Sequence, residues 1–338
     1  PDMKRVAING MGRIGRLVAR SLMEHGEIEI VAVNDIAPME TIAYLLKHST
    51  EYRTLDCDVS YDEADDTLSL GSSRIRALRV ADASKLPWEE LSVDVVLDCT
   101  GAYCFREKAH AHIEAGAQKV LISAAAGSDV PTVVYGVNDD ILTAKDNVIS
   151  AASCSTVGLA PFAQALNAVA PIEQGIATTI HALTPSQMVL DDPQRKGNLR
   201  RSRTASENII PTSAAFAQAV GLVLPELQGR LSGYAIRVPV TRGSLITLYA
   251  VVCGEGETRL TADTLNQLMR ERESDIFGYT NEELVSSDIA GTKLHSIFDA
   301  TQTKVSDIGD GRYLVEVAAW FDNETSYVSH YVKLLGLL

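Results

Sequence analysis

The chain has 338 residues, 46% of them hydrophobic and 22% charged, and carries a net charge of −14. That length suits two domains or one large α/β domain, with enough apolar residues for a sizeable core. The acidic balance excludes nucleic acid as a main partner, because a phosphate backbone demands basic surface, yet it leaves room for a small anion gripped by a few local arginines. The five cysteines (Cys57, Cys99, Cys104, Cys154 and Cys253) are odd in number, widely spaced and without a CxxC or metal-like cluster. Reduced thiols in a cytoplasmic setting, and no metal centre, are therefore expected. The first residues run directly into a strand pattern, so no leader is expected, and no apolar run approaches the roughly 18 residues of a membrane span.

Lys4 to Asn9 is predicted as a buried strand. It feeds Gly10-Met11-Gly12-Arg13-Ile14-Gly15, followed by helical spacing from Arg16 to His25 that stops at Gly26. This is a glycine fingerprint in its required setting of strand, tight turn and helix. Gly10 permits the turn, Gly12 lets backbone approach a pyrophosphate, and Gly15 lets the helix pack closely on the strand. A second strand, Ile28 to Val33, runs into Asn34-Asp35, and Asp35 lies 20 residues after Gly15. A carboxylate there can accept hydrogen bonds from a ribose diol and repels a 2′-phosphate, which points to NAD rather than NADP. Residues 51–76 read as acidic strand and hairpin material. Val93 to Thr100 and Gln118 to Ser123 read as strands around a helix from Arg106 to Ala115, and Val148 to Ala152 as a last short strand. Ligands of an open parallel sheet gather at the carboxyl ends of its strands, which groups Asp35, Thr100 and Ser123 around one cofactor crevice.

Cys154 stands between Ser153 and Ser155-Thr156, just ahead of a helix read from Leu159 to Val169 with Pro161 in its first turn. On its own it would be an ordinary buried cysteine. At a helix N-terminus, however, free N–H groups and the macrodipole favour an anion, and a thiol so placed is expected to have a lowered pKa and to act as a thiolate nucleophile. Beyond it strands predominate: Ile176 to Leu183, Ser232 to Val238, Ser244 to Val252 and Tyr313 to Trp320. Helices from Ala214 to Leu224 and Ala262 to Ser274 interrupt them. Runs of strands with segregated helices indicate an α+β domain with a mostly antiparallel sheet. Asp191 to Asn208 is a polar, basic loop whose arginines are mostly expected in solvent. Ser326 to Leu337 reads as a helix returning to the first domain.

Seven motifs occur in order: Asn9-Gly10-Met11-Gly12-Arg13-Ile14-Gly15-Arg16, Ser153-Cys154-Ser155-Thr156, His181-Ala182-Leu183-Thr184, Leu199-Arg200-Arg201-Ser202-Arg203, Asn208-Ile209-Ile210-Pro211-Thr212, Arg237-Val238-Pro239 and Asp322-Asn323-Glu324. Together they resemble the phosphorylating glyceraldehyde-3-phosphate dehydrogenase family over essentially the whole chain, as a divergent bacterial-type member. The fold expected is α/β, with an N-terminal Rossmann-type doubly wound parallel sheet and a C-terminal α+β domain. Residues 1–153, completed by a C-terminal helix over 322–338, would form the NAD-binding domain, and residues 154–321 the catalytic one.

The resemblance implies NAD-dependent oxidative phosphorylation of D-glyceraldehyde 3-phosphate to 1,3-bisphosphoglycerate through a thiohemiacetal and a thioester. Cys154 would be the nucleophile and His181 its activator and general base. Ser153, Ser155, Thr184, Arg201 and Arg237 would hold the substrate phosphate and the attacking inorganic phosphate. Gly10, Gly12 and the backbone of Arg13 and Ile14 would contact the pyrophosphate. Asp35 would hold the ribose, Thr100 and Ser123 would line the crevice, and Asn323 would hold the nicotinamide carboxamide. A homotetramer is expected, with the arginine loop against a neighbour's cofactor site. The chain departs from the family at Val157 and Gly158, which replace a polar residue and a second cysteine, and at Ala214-Ala215, which replace a Thr-Gly phosphate contact. Two alternatives follow: an erythrose-4-phosphate dehydrogenase, or a weakly active NAD-binding paralogue with a binding or regulatory role. The arginine pair and the Asp322-Asn323-Glu324 motif set the chain apart from aspartate-semialdehyde dehydrogenases.

Overall fold

A computed structural model describes residues 3–254 and 259–338. Its chain contacts divide it into two units. The first runs to Tyr135 and takes in Asp139–Ala152 and Tyr331–Leu338; the second comprises Gly136–Asn138 and Ser153–His330.

In the first unit, strands and helices alternate in sequence: β1 (Lys4–Asn9), α1 (Arg13–Leu22), β2 (Ile28–Asn34), α2 (Met39–Lys47), β3 (Val59–Asp62), β4 (Thr67–Leu70), β5 (Ser73–Leu78), β6 (Val95–Asp98), α3 (Arg106–Glu114), β7 (Lys119–Ile122) and β8 (Val148–Ser150). Val6, Ala7 and Ile8 of β1, Val96 and Leu97 of β6, and Val120 to Ile122 of β7 are all fully buried. Such continuous apolar runs are what a parallel sheet covered on both faces requires. The sheet order is β3-β4-β5-β2-β1-β6-β7-β8. Neighbours from β5 to β8 are parallel, and β3 and β4 add an antiparallel hairpin at one edge. From β1 the chain goes first to β2 on one side and only later to β6 on the other. The carboxyl ends of β1 and β6 therefore flank the point where the strand order reverses, where such sheets bind ligands.

The first helix starts earlier than its spacing suggests, at Arg13 rather than Arg16, and ends at Leu22 rather than His25. Gly12 is already its N-cap, because the glycine turn delivers the chain into helical geometry at once, and a turn from His25 N–H to Leu22 O closes the far end. Gly10 has φ +93°, a conformation that L side chains rarely adopt. A Cβ on Gly15 would lie 2.0 Å from Gly10 O, whereas one on Gly12 would meet nothing within 4 Å.

The second unit contains α4 (Cys154–Val169), β9 (Ile172–His181), β10 (Ile210–Ser213), α5 (Phe216–Val223), β11 (Leu231–Arg237), β12 (Ser244–Cys253), α6 (Ala262–Arg270), β13 (Phe277–Thr280), α7 (Ser286–Ile289), β14 (Ser296–Asp299), β15 (Lys304–Gly309) and β16 (Arg312–Phe321). Its sheet runs β10-β11-β9-β12-β16-β14-β13, with β15 paired to β16. It is mostly antiparallel, the parallel pairs being β11 with β9 and β13 with β14. The helix α4 begins at Cys154, so Pro161 lies in its interior rather than in its first turn. Ser153 supplies the earlier start: its hydroxyl accepts the Thr156 N–H at 3.2 Å, the usual way a serine opens a helix. The last helix, α8 (Thr325–Gly336), starts in the second unit and ends in the first. There Tyr331 Oη donates to Leu121 O at 2.5 Å, and Lys4 Nζ donates to Leu335 O at 2.9 Å. Among the described residues, no helix is long and apolar enough to cross a membrane, and no group of His, Cys, Asp and Glu could hold a metal ion.

The two glycines separate stability from cofactor binding. Gly15→Ala is expected to destabilise the chain by about 1–3 kcal/mol, as overpacking does, because the added methyl meets backbone rather than a movable side chain. Gly12→Ala should cost less than about 1 kcal/mol and still weaken NAD. Denaturant unfolding and NAD titration of the two variants check this.

Candidate active site

The register of one parallel strand pair assembles the centre of the second unit. His181 and Arg237 are the last residues of β9 and β11 and stand opposite each other in the ladder, so their side chains leave the sheet edge side by side. Cys154, the first residue of α4, meets them: its Sγ lies 3.5 Å from His181 Nε2. The other ring nitrogen, Nδ1, lies 2.7 Å from Ala182 O and 2.6 Å from Arg237 Nη1. A carbonyl needs a proton on Nδ1, whereas a guanidinium needs a lone pair there. Arg237 Nη1 also donates to Ala182 O at 3.1 Å, so the carbonyl can serve both donors. The two contacts select opposite tautomers: the Ala182 carbonyl leaves the Nε2 lone pair facing the sulfur, as a base requires, whereas the Arg237 contact places the proton on Nε2.

One further contact meets the ring and another holds the backbone beside it. Phe321 meets it edge-on at 5.9 Å and 72°. Ser244 Oγ accepts the Ala182 N–H at 3.1 Å and donates to Asn323 Oδ1 at 3.4 Å, which seats the buried Asn323 in the same unit. The Gly158 departure has a packing reason, since a Cβ there would come within 3.0 Å of the Phe321 ring and 3.2 Å of Ile246.

Electrostatics correct one expectation. Burial pushes the Cys154 thiol above its ordinary value, ahead of the downward pull of the Arg237 charge and of hydrogen bonds at Ser155. The helix terminus does not ionise this thiol by itself, because desolvation of a sulfur anion outweighs it. Burial first, and the Arg237 charge second, bring His181 down to about 3. Each group alone is held neutral. Burial also lowers Arg237 to about 10, so it keeps its charge at neutral pH. Its buried Nε has no hydrogen-bond partner among the described residues.

Arg201 lies in a short 3₁₀ turn, Arg200–Ser202. Its Nε donates to Thr212 Oγ1 at 3.1 Å and its Nη1 to Ser186 Oγ at 3.0 Å, while Ser186 Oγ lies 2.8 Å from Thr184 Oγ1. The structure thus joins Thr184 to Arg201 through a serine that the sequence reading missed. Ser186 lies two residues beyond the motif that ends at Thr184, and nothing in its spacing tied it to an arginine; Thr212, though it ends a motif, and Ser244 were missed likewise. Arg203 takes the solvated part, in an exposed ion pair with Asp191. Ser155 is buried and Ser153 caps α4. No side chain caps α5 after Ala214-Ala215.

In the first unit, Gly10, Gly12, Arg13, Ile14, Asp35 and Thr100 gather at the carboxyl ends of β1, β2 and β6, with Ser123 beside the end of β7. Asp35 accepts the Met11 N–H at 2.7 Å and the Ala37 N–H at 2.9 Å. A carboxylate has room for further donors, so the ribose contact stays open to it. Thr100 Oγ1 donates to Asp98 at 2.8 Å. Gly12, with open space where a Cβ would stand, and a helix whose N-cap has no side chain form a cradle suited to a pyrophosphate.

Residues 4–106 match the glyceraldehyde 3-phosphate dehydrogenase NAD binding domain, and residues 153–323 match the corresponding C-terminal domain. The glyceraldehyde-3-phosphate dehydrogenase of Clostridium pasteurianum is 44% identical over 333 residues, covering 98% of each chain. That of Lactobacillus delbrueckii subsp. bulgaricus is 46% identical over 336 residues, 98% of this chain and 97% of its own. That of Streptococcus pyogenes is 43% identical over 332 residues, with the same coverage. With a dinucleotide cradle in one unit and a Cys–His–Arg centre in the other, the chain belongs to the glyceraldehyde-3-phosphate dehydrogenase family and is an NAD-dependent oxidoreductase.

Proposed function

We propose that the chain oxidises D-glyceraldehyde 3-phosphate with NAD and inorganic phosphate to 1,3-bisphosphoglycerate. The observation that carries this reading is the 3.5 Å approach of His181 Nε2 to Cys154 Sγ beside Arg237. His181 takes the thiol proton as sulfur adds to the aldehyde carbon and hands it to the new alkoxide, giving a thiohemiacetal and returning His181 to its neutral form. His181 then removes that hydroxyl proton while the carbon gives up a hydride, leaving a thioester on Cys154. NAD, when bound, supplies the hydride acceptor. An oxygen of inorganic phosphate attacks the thioester carbon, the C–S bond breaks, and the acyl phosphate departs as the sulfur regains a proton.

Arg201 and Arg237 hold the two phosphates with the hydroxyls of Ser153, Ser155 and Thr184. The fork of a guanidinium suits phosphate oxygens, and the buried, unpartnered Nε of Arg237 is a donor that such an anion satisfies. Thr184 favours the triose over the tetrose phosphate. The backbone of Gly10, Gly12, Arg13 and Ile14 carries the pyrophosphate, Asp35 the ribose, Thr100 and Ser123 the crevice wall, and Asn323 the carboxamide. We place the protein in the cytoplasm as a homotetramer. Val189, Leu190, Leu199 and Ile209, all in the segment after β9, are 79%, 72%, 85% and 71% exposed, apolar side chains suited to burial against another copy.

The decisive assay is steady-state NADH formation at varied phosphate, with glyceraldehyde 3-phosphate and erythrose 4-phosphate compared. A saturable phosphate requirement with preference for the triose is expected, Cys154→Ser should abolish turnover while retaining NAD binding, and a wild-type chain that binds NAD but forms no NADH would leave the binding-protein reading. His181→Asn is expected to slow turnover about 10²–10⁴-fold, the usual contribution of a positioned acid–base group, and to slow alkylation of Cys154 at neutral pH. His181 stays neutral down to about pH 3 when folded, against 6.5 when unfolded. The unfolded chain therefore binds the extra proton between those values, and this residue's contribution to stability is lost as pH falls from 6.5 toward 3. Urea unfolding should show wild type losing up to about 1.4 kcal/mol per pH unit more than His181→Asn across that window. Light scattering should give a tetramer mass, and a monomer refutes the assembly.

A further inference from the structure

A buried polar lattice laces the carboxyl ends of β1, β2 and β6, and the thiol chemistry makes no use of it. At its centre is His112 on α3, which is fully buried, as are Trp88 and Asp98. Trp88 Nε1 lies 3.0 Å from His112 Nδ1. An indole N–H can only donate, so Nδ1 must be the acceptor and the ring proton must sit on Nε2. That Nε2 lies 3.4 Å from Asp98 Oδ2 and 3.4 Å from Asn9 Nδ2. Asn9 Oδ1 already accepts from Asn34 Nδ2 at 2.8 Å, so the Asn9 amide turns its N–H toward Asp98, which it reaches at 2.8 Å. Two donors do not bond each other, so the His112 Nε2 proton faces Asp98 Oδ2 across 3.4 Å, a polar contact longer than the hydrogen bonds around it. The other Asp98 oxygen receives Thr100 Oγ1 at 2.8 Å and the Thr100 N–H at 3.2 Å.

We propose that His112, locked in one tautomer by Trp88, is a positioning residue for the dinucleotide cradle, acting through Asp98 on Asn9 and Thr100. This rests on the cofactor placement proposed above. The route to the cradle is short. A Cβ on Gly10 would lie 2.8 Å from both Thr100 Cγ2 and Thr100 N, so the glycine turn is seated directly on Thr100. The Gly10 N–H bonds Asn34 O at 2.8 Å, and the Cys99 N–H bonds Asn9 O at 2.7 Å. Release of Asp98 from His112 loosens Thr100 on one side of the turn and Asn9 on the other, while Cys154 and His181 belong to the other unit. A histidine that merely filled core space would act on stability alone. A positioning histidine acts on NAD affinity and leaves the chemical step intact.

The test is titration calorimetry of NAD against the full chain, with KM for NAD, kcat and the rate of Cys154 alkylation as companions. His112→Leu keeps bulk and removes the Trp88 hydrogen bond and the Asp98 contact. It is expected to weaken NAD about tenfold, the scale of a buried hydrogen bond left unmade, with kcat at saturating NAD and the alkylation rate held within about threefold. His112→Gln keeps an N–H for Asp98 and should recover NAD binding to within about threefold of wild type. A Gln variant that binds NAD as weakly as the Leu variant, unchanged affinity in His112→Leu, or a fall in kcat with KM unmoved overturns the proposal. Should His112→Leu not fold, Trp88→Phe carries the same test, since it deletes only the indole N–H and part of a ring. It should weaken NAD about threefold, and wild-type affinity there overturns the tautomer lock. If Gly12→Ala also binds NAD like wild type, the cradle placement itself falls; unchanged affinity in the His112 and Trp88 variants alone removes only the role given to His112.

Discussion

Burial keeps a thiol and an imidazole 3.5 Å apart from ionising separately, and the second unit is arranged around that standoff. A sulfur anion alone, or an imidazolium alone, pays the desolvation cost in full. A proton exchanged between them leaves opposite charges in contact, with the start of α4 and the Arg237 guanidinium beside the sulfur. The neutral pair is therefore the favoured state of the buried centre. This depends on the ring keeping its face and its tautomer. Ala182 O and Arg237 Nη1 both meet Nδ1, Phe321 meets the ring edge-on, and the His181–Arg237 register sets the reach of both side chains.

The two units build their binding sites by different means. In the first, backbone does most of the work: a glycine at φ +93°, a second glycine whose place must stay open and a third pressed against a carbonyl bring the start of α1 to the end of β1. In the second, side chains at strand ends do it. Arg237 follows from the length of β11 and His181 from that of β9, while Arg201 reaches its hydroxyl partners from a 3₁₀ turn. A one-residue slip of β11 against β9 would turn Arg237 to the opposite face, so its placement is as closely specified as the core itself.

Much of this was legible in the sequence because it is local. The glycine spacing, the apolar runs of β1 and β6, and the switch to strand-rich pattern after Cys154 each lie within a short window, and each is found in the structure. Boundaries drifted where a cap outweighed periodicity: Gly12 moved α1 forward, and Ser153 drew α4 back over Cys154 and left Pro161 inside it. The missed side chains have a common feature. Ser186, Thr212 and Ser244 matter through partners 15, 11 and 62 or more positions away, and no spacing rule reaches across such separations. The thiol misled for another reason. A helix terminus can be read from sequence, but the depth at which it is buried cannot, and depth decided the sign.

The departures from the family pattern follow the same division between local chemistry and packing. Gly158 stands where a side chain would meet the Phe321 ring, and that ring touches His181. Loss of a thiol at this position is therefore coupled to the base through one aromatic contact, and the chain has kept the contact. Val157 is buried in α4 among apolar residues and requires no partner. Ala214 and Ala215 differ in kind, because α5 then begins with no side-chain cap and one hydroxyl fewer for an anion. The hydroxyls nearest to replacing it are those of Ser186 and Thr212, already aligned on Arg201. Both are neutral, so they hold the guanidinium in place without offsetting its charge. An arginine supported by hydroxyls rather than carboxylates thus keeps its charge available to an anion even where a neighbouring helix end has lost a hydroxyl.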